Sequence, residues 1–294
     1  MKSLRKKLFL SILAVAFAVV SLGTSTFAWF VVNNEVAASG MTVQAKSEEG
    51  IVISNEAKST WSASADASHA SGLNLLATST ADAALWGHAN SVNANSHAAT
   101  GDYTFLRIGG TGTIVPITET NGVGSATVND VTSNLYLVNK FYVQSASALP
   151  VTLNASKYLA VKNVQATLAT TGSQLIDLGL RVLIKVDSTV VIYAPVEDQT
   201  VSEVTFTPTV SYNVRTDNAT PTPATTEVTA HRSADEVSLL STGTIAAFAS
   251  DGSTAQEISV YIYFEGEDAN MKSANLASTL DQITVSLTFF LKNA

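Results

Sequence analysis

Apolar and polar residues alternate along several stretches of the chain, and this pattern predicts β-strands because successive side chains of a strand point to opposite faces. The clearest alternation occupies 135–143, 178–187, 256–264 and 281–291. In the last of these, every second residue from Ile283 to Leu291 is apolar. In 135–143 one apolar face is interrupted by Asn139. The four stretches are the predicted centre of the fold.

Further strand patterns predict an all-β protein. These additional candidates are 29–37, 41–46, 51–54, 103–108, 113–118, 150–154, 158–168, 189–194 and 201–215. Short helical turns are predicted near 72–77, 243–249 and 269–280, where Ala and Leu cluster. No stretch has the apolar stripe of a long helix, which disfavours a parallel α/β fold. Many short strands separated by turns favour a jelly-roll-like antiparallel β-sandwich.

Two stretches interrupt the strand pattern. Residues 55–101 are rich in Ala, Ser, Asn and His, and they carry Trp61 and Trp86 as isolated large side chains. Residues 216–230 contain the sequence Thr-Pro-Thr-Pro, which predicts an exposed and stiffened loop. Both stretches are interpreted as loop insertions within one domain that spans 29–294.

The first 28 residues have the three parts of a secretory signal peptide. Four basic residues precede an apolar stretch from Leu8 to Leu22, and small residues follow up to Ala28. Cleavage is therefore predicted between Ala28 and Trp29. The alternative is a retained membrane anchor over 8–32, since a span needs about 20 apolar residues. Either outcome places the rest of the chain outside the cytoplasm, as a protein secreted to the extracellular matrix or the cell surface.

Composition narrows the class of protein further. Only 14% of the 294 residues are charged while 46% are hydrophobic, which excludes a charge-driven disordered chain. Beyond Ala28 the acidic residues exceed the basic ones by twelve, so a nucleic-acid partner is not expected. The absence of cysteine removes disulfides, thiolate metal sites and cysteine nucleophiles.

The chain carries few patterns of catalytic chemistry. The four histidines, His69, His88, His97 and His231, form no HExxH pattern, and surface exposure is favoured over metal binding. The Gly-rich stretch 109–112 precedes a strand pattern and is interpreted as a hairpin turn. No serine lies in a GxSxG sequence. We therefore predict that the protein is not an enzyme, with no catalytic residue and no required cofactor.

One acidic group follows the predicted strand 256–264. Glu265, Glu267 and Asp268 are close in sequence, and clustered carboxylates at a strand end bind calcium in other proteins. The alternative is a solvated turn whose charge keeps a sheet edge from pairing wrongly, and this alternative is favoured.

The signal region also resembles a known family. Ser25-Thr26-Phe27-Ala28-Trp29-Phe30, then Asn33-Asn34 and Ala38-Ser39-Gly40-Met41, resembles TasA/camelysin-type secreted proteins, which are processed by the SipW class of signal peptidase. The stretches 135–153, 261–268 and 281–291 are similar to core strands of that family. The insertions 55–101 and 216–230 have no obvious counterpart there.

The resemblance implies a jelly-roll fold and a structural role. Proteins of this type are subunits of extracellular filaments in a biofilm matrix or on the cell surface. The implied partners are further copies of the chain or a related matrix protein, together with a SipW-type signal peptidase. Contact with the membrane is then transient, during export. The metalloprotease label given to camelysin-type members is not transferred, because the chain lacks a zinc-binding histidine pair.

Assembly by donor-strand exchange is also implied by the resemblance. The segment freed by cleavage would complete a sheet of the next subunit, using Trp29, Phe30, Val31, Val32 and Val36. If about four of these side chains are buried there, each contributes roughly 1.5–3 kcal/mol before the cost of association. Alternatively, the segment pairs within its own sheet as an ordinary first strand.

Two other functions remain open from the sequence. The runner-up is a surface-displayed carbohydrate- or protein-binding module that uses Trp61, Trp86 and nearby Asn and Asp side chains. A metal-dependent hydrolase is the third hypothesis, and the histidine pattern argues against it.

Overall fold

The computed structural model describes most of the chain beyond the predicted signal region. The described residues are 35–38, 41–45, 50–67, 73–89, 103–128, 130–168, 175–219, 222–271 and 283–293. The chain divides into two compact units, Met1–Glu35 and Val36–Ala294, and the second contains the fold described below. Among the described residues no helix is long and apolar enough to cross a bilayer.

The described residues form many strands and no α-helix, so the all-β prediction is confirmed. In chain order the strands are β1 Glu35–Ala38, β2 Met41–Ala45, β3 Ile51–Asn55, β4 Ser64–Ala67, β5 Leu73–Leu76, β6 Trp86–Ala89, β7 Tyr103–Ile108, β8 Ile114–Thr120, β9 Val123–Val128, β10 Val131–Ser145, β11 Val151–Leu153, β12 Lys157–Leu168, β13 Leu180–Val186, β14 Thr189–Ala194, β15 Gln199–Val201, β16 Val204–Phe206, β17 Ser211–Arg215, β18 Thr225–Thr229, β19 His231–Arg232, β20 Val237–Leu240, β21 Gly243–Ile245, β22 Gln256–Phe264 and β23 Ile283–Asn293. One 3-10 helix, Leu175–Gly179, precedes β13.

Two sheets account for most of the strands. The large sheet follows the order β19–β14–β13–β22–β10–β9–β8–β7–β6, with β3 and β5 also paired to β10 and β1 paired to β5. The smaller sheet follows the order β20–β12–β23–β2–β4. Three two-stranded pairs, β11–β21, β15–β16 and β17–β18, complete the described strands.

An aliphatic core lies between the two sheets. On the large sheet, alternate residues of β13 and β22 point into it, and β12 and β23 supply the opposite side. Its fully buried members include Val182, Ile184, Val260, Ile262, Val161, Val285 and Phe289. The predicted alternation in 178–187, 256–264 and 281–291 is therefore confirmed, and β22 has the predicted bounds.

The outer face of the large sheet is buried as well. Strands β6 to β9 carry apolar side chains that pack on this face, and so does the β17–β18 hairpin. This second core contains Trp86, Leu106, Ile117, Tyr136, Tyr212, Val228, Tyr261 and Tyr263. The large sheet is therefore covered on both faces, whereas the alternating sequence predicted one wet face.

The strand pairing is mixed rather than purely antiparallel. The pairs β2–β23, β7–β8, β5–β10 and β14–β19 are parallel. The predicted hairpin turn at 109–112 is therefore wrong, because β7 and β8 run side by side in the same direction. At Gly110 the connection passes close to the backbone of β8, since a Cβ there would lie 2.7 Å from the Ile114 carbonyl oxygen. The jelly-roll order of strands stays a prediction.

The stretches interpreted as loop insertions also contain strands. Residues 55–101 include β4, β5 and β6, while 216–230 include β18. The helical turns predicted at 72–77 and 243–249 are wrong, because these stretches contain β5 and β21. Short strands rich in Ala, Ser and Thr lack a strong apolar alternation, so their pairing partners decide their structure.

Candidate functional site

The predicted donor segment reaches the described structure only at its last member. Trp29, Phe30, Val31 and Val32 lie outside the described residues, as does the predicted cleavage point at Ala28. Val36 lies in β1, and β1 pairs with β5 of the same chain. The backbone around Val36 therefore belongs to the chain's own large sheet, as the alternative of an ordinary first strand requires.

The next strand belongs to the other sheet. Met41 and Val43 of β2 are 2% and 0% exposed, and β2 pairs with β23 on one side and β4 on the other. The small-residue and Gly step at 38–41 thus leads from a strand of the large sheet into a strand of the smaller sheet. Both sheets are joined where the chain enters the fold.

The smaller sheet has two edges among the described residues. Strands β4 and β20 end the strand order, and each is only four residues long. An exposed sheet edge offers unpaired backbone groups to which another strand can add. Strand β4 pairs directly with β2, the first strand of the smaller sheet in the sequence. Of the two edges, the β4 edge is therefore the one adjacent to the N-terminal strand of that sheet.

The acidic group after β22 is a buried cluster rather than a solvated turn. Asp268 forms an ion pair with Arg181 at 2.6 Å, and both side chains are 0% exposed. The backbone N–H of Thr209 also donates to Asp268 at 2.7 Å, and the N–H of Asn270 donates at 2.8 Å. Internal donors therefore occupy both carboxylate oxygens of Asp268.

Arg181 lies in β13 on the face opposite the aliphatic core, and its side chain is buried as well. Its guanidinium donates to the carbonyl oxygens of Leu178, Leu180 and Thr209 at 2.8, 2.9 and 2.6 Å. It also lies 5.6 Å from the ring centre of Tyr212. These contacts compensate for the burial of a charge that would otherwise be strongly destabilising.

Glu265 and Glu267 belong to the same cluster. The hydroxyl of Ser79 donates to Glu265, and the N–H of Glu267 donates to the same carboxylate at 3.1 Å. Burial raises the pKa of Glu265 to about 7 and the pKa of Glu267 to about 7. Ser79 comes from the stretch 55–101, so this stretch is fixed to the end of β22.

This arrangement leaves the calcium prediction without the expected ligand geometry. The Arg181 cation occupies the position beside Asp268 that a metal ion would take. Among the described residues, no group of three or more His, Asp or Glu side chains is arranged to hold a metal ion. Glu265, Glu267 and Asp268 lie close together. Through Ser79 and Arg181 they connect the stretch 55–101 and β13 to the end of β22.

The two tryptophans have different environments. Trp86 is 0% exposed and stacks on Tyr136 with ring centres 4.4 Å apart, so it cannot offer a face to a sugar. Trp61 is half-buried and contacts Phe248 edge-on at 6.4 Å. Of the two tryptophans in the predicted binding module, only Trp61 therefore has a ring that a ligand could contact.

The histidines do not form a site among the described residues. Nδ1 of His88 lies 2.9 Å from the Ala77 carbonyl oxygen, and burial lowers the pKa of His88. His231 is partly exposed and lies 3.6 Å from Asp235. His69 and His97 are outside the described residues. His88 is therefore half-buried, with its ring against the Ala77 backbone just after β5.

Comparison of the chain with protein-family models, with curated proteins and with solved structures finds no match. The resemblance to TasA/camelysin-type proteins thus depends on the motifs quoted above and stays a prediction.

The buried ion pair between Arg181 and Asp268 was not predicted from the sequence, although one feature of the sequence hints at it. Arg181 lies in β13, where Lys185 is the other charged residue, and its partner Asp268 lies 87 positions away. Alternation assigns such a residue to solvent, because it assumes that only one face of the sheet is covered. Thr209 and Tyr212, from β17 and the residues before it, cover Arg181 on this face.

Proposed function

We propose that the protein is a secreted structural subunit of an extracellular filament or cell-surface fibre. Its N-terminal residues 29–34, which precede β1, would add as a strand to a neighbouring copy or to a related matrix protein. A SipW-type signal peptidase would free this segment by cleavage between Ala28 and Trp29. The function is structural rather than enzymatic, and no cofactor is required for it.

The division of the chain after Glu35 is the observation that carries the proposal. The apolar residues from Trp29 to Val32 precede this boundary, and both sheets follow it. The segment can therefore pair elsewhere without removing any residue of the aliphatic core. The edge strands β4 and β20 are candidate acceptors for it, because each ends a sheet.

Electron microscopy of the exported protein tests this function. We expect N-terminal sequencing to begin at Trp29 and negative staining to show filaments. The variant Phe30→Asp/Val32→Asp should lose the filaments, because two buried charges would oppose strand addition. The matched control Asn33→Asp/Asn34→Asp adds the same charge to polar positions of the segment and should keep them.

Circular dichroism shows whether each variant remains folded. A charged Phe30→Asp/Val32→Asp variant that is folded and still forms filaments would reject strand addition by this segment. An exported protein that remains monomeric at high concentration would reject the filament itself.

A further inference from the structure

A polar cleft opens where one edge of β10 lacks a partner strand. On the edge facing away from β22, β9 pairs with residues 131–134 and β3 pairs with residues 141–145. Between these ladders, the N–H of Val138 donates to the Gly122 carbonyl oxygen at 2.7 Å. The cleft beside this contact has a volume of about 370 Å³.

Asn139 lies at this cleft and is the residue that interrupts the apolar face of β10. It is 7% exposed, and its amide nitrogen makes one weak hydrogen bond, to Sδ of Met41 at 3.7 Å. Its side-chain oxygen accepts no hydrogen bond from the described residues. A leucine of similar size would fit this apolar face, whereas Asn139 places an amide there whose oxygen is not among the buried atoms without a partner and so stays accessible from the cleft. A partner outside the chain would explain the polar residue.

The other lining side chains supply both donors and acceptors. The polar ones belong to Asn55, Glu56, Asp66, Asn121 and Lys140. The amide of Asn55 is already engaged within the chain, since it donates to the Asp66 carbonyl oxygen at 3.3 Å and accepts from the N–H of Ala57 at 3.2 Å. Asp66 comes from β4 of the smaller sheet, while Asn139 and Lys140 come from the large sheet. The cleft is therefore built from both sheets, which fixes the spacing of these groups.

The charge of the lining selects against ionic ligands. Two carboxylates oppose an anion, and Lys140 opposes a metal cation close to them. Hydroxyl groups, by contrast, donate to carboxylate and amide oxygens and accept from amide and ammonium groups. Binding pockets for small molecules have volumes of about 300–1,000 Å³, so this cleft suits one or two sugar rings.

We propose that this cleft binds a neutral saccharide, with Asn139 and Asp66 as its central hydrogen-bonding residues. The site differs from the tryptophan surface predicted from the sequence, since neither Trp61 nor Trp86 lines it. It uses no residue of the segment 29–34, but Asp66 lies in β4, which is one of the two candidate acceptor edges for that segment. The saccharide would be bound rather than cleaved.

A saccharide array with calorimetry tests the proposal. The exported protein is applied to immobilised N-acetylglucosamine, diacetylchitobiose, maltose, cellobiose and lactose, and the strongest ligand is titrated. We expect Asn139→Leu to weaken binding at least tenfold while the melting temperature stays equal or rises. Asp66→Asn, which keeps the shape of the side chain, should weaken binding several-fold.

Asn213→Leu is the matched control. Asn213 is exposed on β17, away from the cleft lining, and the same substitution there should leave the affinity unchanged. Retention of none of the five sugars would overturn the proposal. Unchanged affinity in a folded Asn139→Leu variant would overturn it too, as would loss of binding on Trp61→Ala with Asn139→Leu unaffected. Filament loss in the segment variants does not bear on these outcomes.

Discussion

The two faces of the large sheet are buried by different means. The inner face carries aliphatic side chains, such as Val260 and Ile262 of β22, which meet the smaller sheet. The outer face of the same strand carries Tyr261 and Tyr263, which pack with Trp86 under a layer of short strands. The inner face needs only shape and apolar area, whereas the outer face must also satisfy hydroxyl groups and a buried ion pair.

The difference has a consequence for tolerance to mutation. Apolar packing loses free energy in proportion to the atoms removed, so conservative changes on the inner face cost little. On the outer face, removal of one charge leaves its partner buried without compensation. The outer face should therefore contain the most sensitive single positions of the fold.

Arg181→Ala is expected to give the largest effect. It leaves Asp268 buried without its ion-pair partner, which should lower the free energy of unfolding by about 3–5 kcal/mol in urea denaturation. The double variant Arg181→Met/Asp268→Leu should recover much of this loss. Lys292→Met, at an exposed ion pair with Glu236, is the control and should change stability far less, because water screens the pair. Equal effects for Arg181→Ala and Lys292→Met would contradict the difference between the faces.

The pH dependence of stability should be dominated by the outer-face cluster. Burial raises the pKa of both Glu265 and Glu267 to about 7, above an ordinary value of about 4.3. Between these values the unfolded chain releases protons that the folded chain retains. The free energy of unfolding should therefore fall as pH rises from about 4.5 to 7, by about 1.4 kcal/mol per pH unit for each group.

Urea denaturation across this pH range measures the effect. Glu265→Gln removes one titrating group and should flatten the slope, whereas Glu257→Gln, on an exposed position of β22, should leave the slope unchanged. A stability that rises between pH 5 and 7 would show that these carboxyl groups are ionised in the folded protein.

Substitutions that change side-chain volume by one or two carbon atoms should also have different effects on the two faces of the large sheet. A Cβ at Gly124 would lie 2.3 Å from the ring of Tyr136, which stacks on Trp86. Gly124→Ala should therefore cost about 1–3 kcal/mol and alter the near-ultraviolet circular dichroism of the aromatic group. Ile262→Val on the inner face should cost about 0.5–1.5 kcal/mol with the aromatic signal preserved. An unchanged aromatic spectrum in Gly124→Ala would contradict the close packing of Tyr136.

The sequence predicted the inner face well and the outer face poorly. Alternation located β10, β13, β22 and β23, because their apolar residues recur at every second position over many residues. It could not show that short strands in 55–101 and 216–230 cover the other face, since these strands are only four or five residues long and carry no extended apolar alternation. The burial of Arg181 was therefore not predicted, and the parallel direction of β7 and β8 was missed.

The candidate sites were predicted only in part. The proximity of Glu265, Glu267 and Asp268 in the sequence was a sound signal of a local cluster, but the cluster's cation is an arginine from a distant strand. Asn139 was visible as an interruption of an apolar face. Its role at the cleft depends on residues from β3, β4 and the β8–β9 turn, which only the tertiary structure brings together.

The parallel pairing of β2 with β23 determines how tension would pass through the molecule. Met41–Ala45 align with Val285–Phe289 in the same direction, side by side in the smaller sheet. Pulling on the start of β2 against the end of β23 slides the strands lengthwise, so all five aligned positions resist together. Antiparallel neighbours pulled from one end would instead open one rung at a time. A chain loaded between these two points is therefore held by shear, the arrangement best suited to bearing a mechanical load.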